Sequence, residues 1–142
     1  MKEFYRTDFV SVYHDENTDA LWVKYFKKIP SDKHFIPVVD AMLTGFTSLQ
    51  TQKFVADIRK MGILGTESQK LIVHKLLPGM IQHLKGEKLY HVQLIDHAEI
   101  MSKVCANKVK QMGQCDVKEI IQFSDENEVI KYMKSIVSRK VA

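Results

Sequence analysis

The sequence predicts an α/β protein with a mixed, mostly parallel β-sheet, an N-terminal antiparallel hairpin and about four helices. Beyond residue 30, apolar segments of strand length alternate with amphipathic segments of helix length. Strands separated by single helices are most simply parallel. Before residue 30, two β-rich segments flank a turn rich in Asp and Asn. The predicted order is ββαβαβαβα.

Length and composition predict one domain that spans residues 1–142. The chain has 142 residues, of which 45% are hydrophobic and 27% charged, and these values are typical of a globular protein with one core. The sequence contains no internal repeat, low-complexity tract or linker. No apolar segment is long enough for a membrane span or a signal peptide, so a cytoplasmic protein is expected.

The first two strands are expected in "FVSVYHDENTDALWVKYF". Trp22 and Tyr25 are three residues apart on the second strand and should therefore point to opposite faces. One of the two aromatic rings would then face away from the core. Such a strand either presents an ordinary surface or forms the edge of a weak homodimer, and both alternatives stay open.

The first helix is expected in "SDKHFIPVVDAMLTGFTSLQ", where apolar residues recur at helical spacing. Proline is tolerated in the first turn of a helix and is costly further inside, so Pro37 predicts that the regular helix begins near Ile36. The residues with this spacing are Phe35, Val38, Val39, Met42, Phe46 and Leu49.

A buried strand, "KFVADI", is followed by a bend and by the amphipathic segment "TESQKLIVHKLLPGMIQHL". Thr66 and Gln69 match a capping box, which predicts that Thr66 caps this helix. Pro78 is expected to kink or restart the helix.

The remaining elements are a strand in "EKLYHVQLI", a helix in "HAEIMSKVCANKVKQM", a strand in "VKEIIQF" and a helix in "SDENEVIKYMKSIV". Asp96 is expected to begin the first of these helices and Gly113 to end it. Ser124 is a candidate cap for the last helix. Cys105, on the first of these helices, is interpreted as a small core residue.

Charge and motif content argue against several classes of function. The net charge of +4, from 21 basic and 17 acidic residues, is not concentrated in a basic cluster, so nucleic acid is not an expected partner. The six histidines and the cysteines Cys105 and Cys115 lack the spacing of metal ligands. No nucleophile elbow or phosphate loop is present. We therefore expect no catalytic residue, no metal and no cofactor.

Four short features carry a resemblance to a known family. They are the opening hairpin, the strand ending in Asp57-x-Arg59 before "MGIL", the Leu77-Pro78 pair in the next helix and the closing "FSDENEVIKYM". From about Phe9 onward the chain resembles the SpoIIAA-like, or STAS-like, bacterial proteins. The resemblance implies a mixed sheet with helices against it and a regulatory role through binding to partner proteins. In the wider STAS group, phosphorylation of a Ser or Thr after this same strand sometimes switches that binding.

The chain departs from the family at the position of this switch. It has "DIRKMGILGTESQ" there, with no hydroxyl residue at the matching turn, and its nearest hydroxyl residues are Thr66 and Ser68. Ligands of open α/β sheets bind beyond the carboxyl ends of the strands. Asp57, Arg59, Thr66 and Ser68 are therefore the candidate residues for contact with a ligand or partner. For Asp57 and Arg59, an ion pair with each other is favoured over ligand contact.

The expected function is that of a non-enzymatic regulatory or protein-interaction module of STAS-like type, with an unknown protein partner. The alternative is a small-molecule or lipid-binding protein that uses a cavity between sheet and helices. A third interpretation is an enzyme at the edge formed by Asp57 and Arg59. A pocket of roughly 300 Å³ or more with converging polar groups would favour the second or third interpretation.

Overall fold

The fold is built on one six-stranded mixed β-sheet, and the computed structural model describes residues 1–96 and 120–137. The strands are β1 (Lys2–Arg6), β2 (Val10–Asp15), β3 (Ala20–Tyr25), β4 (Lys53–Asp57), β5 (Tyr90–Leu94) and β6 (Ile120–Phe123). Their order in the sheet equals their order in the sequence. Strands β1, β2 and β3 pair antiparallel, and β3, β4, β5 and β6 pair parallel. The predictions of an α/β class, a mixed sheet and an antiparallel N-terminal hairpin are confirmed.

Strand β1 was not expected from the sequence. Its residues, "KEFYR", are mostly charged and lack the apolar alternation of a half-buried strand. The strand nevertheless pairs with β2 along the sheet edge, with an irregularity between Glu3 and Tyr5. Phe4 and Tyr5 pack against the main core. The predicted hairpin is therefore the second half of a three-stranded antiparallel unit.

The described residues contain three helices. They are α1 (Asp32–Thr47), α2 (residues 66–84) and α3 (Glu126–Ser135). Helix α3 is capped by Asp125, whose side chain accepts a hydrogen bond from the Asn127 N–H, so the Ser124 cap prediction was wrong. The predicted helix that starts after Asp96 and includes Cys105 lies outside the described residues, as do Cys115 and Gly113.

Helix α1 begins at Asp32, four residues before the expected start at Ile36. Pro37 is the sixth residue of this helix and cannot donate a hydrogen bond to the carbonyl of Lys33. The cost of this missing hydrogen bond is confined to the turn that contains Pro37. The early turn is retained because it places Phe35, which is completely buried, against the sheet.

Helix α2 changes its winding in front of Pro78. It consists of α-helical Thr66–Leu71, a π-helical turn at Ile72–Leu76 and α-helical Leu77–Leu84. Pro78 has no N–H for the bond to the carbonyl four residues earlier, and a wider turn relieves the clash with that carbonyl. The expectation that the helix is kinked or restarted at Pro78 agrees with this arrangement. None of the described helices combines the length and apolar character needed to cross a bilayer.

Both faces of the sheet are covered. The main core lies between the sheet and helices α1 and α2, and a second apolar cluster lies on the opposite face, under α3. Tyr25 belongs to the main core and Trp22 to the second cluster, and their exposed fractions are only 4% and 3%. The prediction that these rings point to opposite faces is confirmed, and Trp22 does lie away from the main core. The expectation that the strand exposes an aromatic ring was wrong, because α3 covers the second face. Strand β3 also lies between β2 and β4, so it offers no edge for a dimer.

Helix α3 is joined to the sheet by a buried lysine. Lys53 begins β4, is 4% exposed, and donates from Nζ to the carbonyl oxygens of Thr18 at 3.0 Å and Met133 at 2.8 Å. Burial lowers the pKa of Lys53 because the charged form loses hydration. The ammonium group thereby links the turn before β3 to the last turn of α3, where carbonyl groups favour a cation.

Candidate functional site

The carboxyl ends of three parallel strands border a cleft of about 490 Å³. We call it the edge cleft. Its volume exceeds the roughly 300 Å³ that separates ligand-sized pockets from packing defects. Its lining residues come from β3, from β4 and from the segments that follow β3, β4 and β5. They are Lys24, Tyr25, Phe26, Asp57, Arg59, Lys60 and Asp96.

An ion pair between Asp57 and Arg59 forms one wall of the edge cleft. Asp57 is 2% exposed, and its two carboxylate oxygens accept hydrogen bonds from Arg59 Nε at 2.9 Å and Nη2 at 2.7 Å. Arg59 Nη2 also donates to Glu126 Oε1 at 3.2 Å, in the first turn of α3. The bond with Asp57 raises the pKa of the guanidinium group. The preferred sequence interpretation, an ion pair, is confirmed.

Two further cations face the same cleft. Lys24 lies beside Asp57 in the register of β3 and β4, and Lys60 follows Arg59 in the chain. Within residues 1–96 and 120–137, neither lysine has a carboxylate in ion-pair distance. Sequence reasoning missed Lys24 because only the register of β3 and β4 brings it to Asp57.

Thr66 and Ser68, the other two predicted site residues, do not line the edge cleft. They belong to the first turn of α2, in front of which Gly65 occupies the N-cap position. Ser68 is 1% exposed, and both its N–H, at 3.1 Å, and its hydroxyl donate to Asp32 Oδ1. The four candidate residues therefore divide between two places in the fold.

The cap of α2 comes from another helix. Asp32, the first residue of α1, accepts the N–H of Ser68, as an N-cap side chain would. Thr66 lies inside the helix, and no side-chain cap bond comes from the N-cap position, so the Thr66 capping-box prediction was wrong. A methyl group at Gly65 would lie 2.5 Å from Asp32 Oδ1. Only glycine leaves room for the carboxylate there.

Helices α1 and α2 run side by side in the same direction. Asp32 bonds Ser68 near their first turns, Asp40 accepts a hydrogen bond from Lys75 at 2.5 Å, and Leu43 packs against Gly79. In each case the two positions are 35 or 36 residues apart, which indicates a constant register along both helices.

Between the first two of these contacts, the helices leave an exposed groove of about 460 Å³, which we call the helix groove. Ile36 is 47% exposed there and Leu71 is partly buried. The remaining lining side chains are charged or ionisable and include more basic than acidic groups. They are Asp32, Lys33, Glu67, Lys70, His74 and Lys75.

The main core contains a much smaller cavity, of about 40 Å³, under α2. His91 of β5 lines it at 4% exposure, and within the described chain its Nδ1 has no hydrogen-bond partner. Burial lowers the pKa of His91 to about 4, so the imidazole is neutral at pH 7. The volume is enough for a few water molecules.

Metal ligation and similarity to known proteins are two further sources of functional information. Among residues 1–96 and 120–137, no three His, Cys, Asp or Glu side chains lie close enough together to share a metal ion. No model of a protein family matches the chain, and no curated protein or solved structure is significantly similar to it.

Proposed function

We propose that the protein is a non-enzymatic regulatory or interaction module of STAS-like type that binds a partner protein through the helix groove. The supporting observation is an apolar strip formed by the exposed Ile36 and the partly buried Leu71, between two helices whose other groove-lining residues are more basic than acidic. Amphipathic helices commonly bind in such grooves through apolar residues spaced three or four apart.

Charge favours one class of partner. Lys33, Lys70 and Lys75 stand on the rim. Lys70 is paired with Glu67 at 3.4 Å and Lys75 with Asp40 at 2.5 Å, so Lys33 is the rim lysine without an ion pair among the described residues. An amphipathic helix with acidic residues beside its apolar face would complement this rim. The charges would chiefly set the encounter rate and orientation, whereas burial of Ile36 and of the partner's apolar face would contribute to the affinity.

The groove is preformed. Helices α1 and α2 are held together at Asp32, Asp40 and Leu43, on both sides of the apolar strip. A partner would therefore bind without first ordering the groove, which lowers the entropic cost of association.

The alternative of a lipid or small molecule between sheet and helices has less support, because the pocket that exceeds roughly 300 Å³ and has converging polar groups is the edge cleft and not a cavity between sheet and helices. The core cavity of about 40 Å³ is several times smaller than a typical ligand pocket. An enzyme at Asp57 also has less support, because both oxygens of this carboxylate already accept hydrogen bonds from Arg59. Phosphorylation after β4, which occurs in the wider STAS group, would be easier at Thr66, which is exposed, than at Ser68, whose hydroxyl is buried against Asp32.

Site-specific photocrosslinking tests the proposal. Ile36 is replaced by p-benzoylphenylalanine, and the protein is irradiated in the cells that naturally contain it. Ile63 is the matched control because it is also an exposed isoleucine, at 49% against 47% for Ile36, and does not line the groove. We expect a defined crosslinked species from position 36 that is absent from position 63.

A charge reversal makes the test specific. Lys33→Glu with Lys70→Glu should abolish the crosslink from position 36, because both lysines stand on the rim. Crosslinks of equal intensity from positions 36 and 63 would refute the proposal, as would a crosslink that survives the charge reversal. If position 36 crosslinks only to a second copy of this chain, the groove mediates self-association, and the proposal of a separate partner protein is refuted.

A further inference from the structure

We propose that the edge cleft is a binding site for a small phosphorylated molecule, independent of the helix groove. The cleft and the helix groove share no lining residue. The inference therefore stands apart from the proposed protein interaction.

First, the cleft contains a cation, Lys24, that forms no ion pair with the described residues. Lys24 is partly buried, and the carboxylate next to it in the sheet, Asp57, directs both oxygens to Arg59. The ammonium group of Lys24 therefore lines the cleft without a carboxylate in ion-pair distance among the described residues. An anion bound next to Lys24 would supply an ion-pair partner.

The second argument is the orientation of Arg59. Its Nε and Nη2 atoms bond Asp57 and Glu126, which fixes the plane of the guanidinium group. Within the described residues, its Nη1 atom has no hydrogen-bond partner. A positioned guanidinium with free N–H groups binds phosphate oxygens with little loss of side-chain entropy.

The third argument is the size and chemistry of the rest of the cleft. A volume of about 490 Å³ is larger than a phosphate group needs, and Tyr25 and Phe26 contribute aromatic surface to the lining. Lys24, Arg59 and Lys60 line the cleft together with Asp57 and Asp96. Arg59 is shared between Asp57 and Glu126, which leaves Lys24 and Lys60 as the cations without an ion pair among the described residues. A ligand with a phosphate group would match the cations of this lining, and an apolar or ring portion of the same ligand would match its aromatic side chains.

The test is an NMR titration of the ¹⁵N-labelled full chain with phenyl phosphate at constant ionic strength, so that general screening does not change. We expect saturable shifts of the amides of residues 24–26 and 57–60, with a Kd of about 1 mM or lower. Phenol, which lacks the charged group, should not saturate these shifts.

Charge-matched variants identify the cations involved. Lys24→Gln with Lys60→Gln should weaken binding at least about tenfold, the effect of about 1.4 kcal/mol. Lys33→Gln with Lys70→Gln removes the same charge from the helix groove and should leave the Kd within about twofold. Lys60→Gln alone, at an exposed position, should weaken binding without affecting the fold.

Three results would overturn the inference. The first is the absence of saturable binding by wild-type protein. The second is an equal loss of affinity in both double variants, which would indicate a response to net charge only. The third is a set of shifts that lies outside residues 24–26 and 57–60, or that phenol reproduces.

Discussion

Neutral, buried His91 should make the protein acid-sensitive between pH 7 and pH 5. Its side chain is 4% exposed and contacts the Phe54 ring at a centroid distance of 5.0 Å. The lining of its cavity is otherwise apolar, apart from Tyr25 and Gln93, so no carboxylate is present there to stabilise an imidazolium. Protonation is therefore much less favourable in the folded protein than in the unfolded chain.

The size and sign of the effect follow from the two pKa values. The pKa of His91 falls from 6.5 in the unfolded chain to about 4 in the folded protein. Between these values the unfolded state binds more protons, so the free energy of unfolding decreases as the pH falls. The full loss, reached below pH 4, is about 3 kcal/mol, and about 2 kcal/mol of it occurs between pH 7 and pH 5.

Urea denaturation at pH 7, 6 and 5 measures this loss in wild-type protein and in His91→Leu. Other titrating groups contribute to both proteins and cancel in the comparison. The difference in unfolding free energy between wild type and variant should shift by about 2 kcal/mol across this range, in favour of the variant at low pH. Parallel pH profiles would refute the assignment of His91 as a neutral, unpaired group.

Two further predictions concern the contacts that hold helices in place. Asp32→Ala should lower the free energy of unfolding by about 1 kcal/mol, because α2 loses its cap. Gly65→Ala should be destabilising only when Asp32 is present. Urea denaturation of both single variants and of the double variant should therefore show strong coupling between the two positions. Additive effects on the free energy of unfolding would contradict the contact. Lys53→Met keeps the apolar part of the side chain but removes the bond to the Met133 carbonyl. Amide exchange in α3 should accelerate at least about tenfold while that in α1 stays unchanged, and equal acceleration in both helices would contradict a local link.

The hydrophobic pattern of the sequence was sufficient to predict a helix that buries one face and a strand that is buried throughout. The apolar run "KFVADI" predicted β4, and the spacing of Phe35, Met42 and Phe46 predicted the body of α1. Strand β1 was missed because an edge strand needs little apolar surface, and its pairing with β2 compensates for its charged sequence.

The site was predictable only where partners are close in sequence. Asp57 and Arg59 are two residues apart, and strand geometry alone suggested their ion pair. Asp32 caps a helix 36 residues later, and no local pattern marks such a contact. Trp22 is covered because α3 packs on the second face of the sheet, which the alternation within β3 could not indicate.

The bond between Lys53 and Met133 spans 80 residues and has a consequence for biosynthesis. A nascent chain that has not yet emerged beyond residue 125 already contains Trp22, Val55 and the Lys53 ammonium, but not the helix that covers them. Until α3 leaves the ribosome, Trp22 and Val55 lack the cover that this helix provides in the folded protein. The bond between Lys53 and Met133 can therefore form only after residue 133 has left the ribosome.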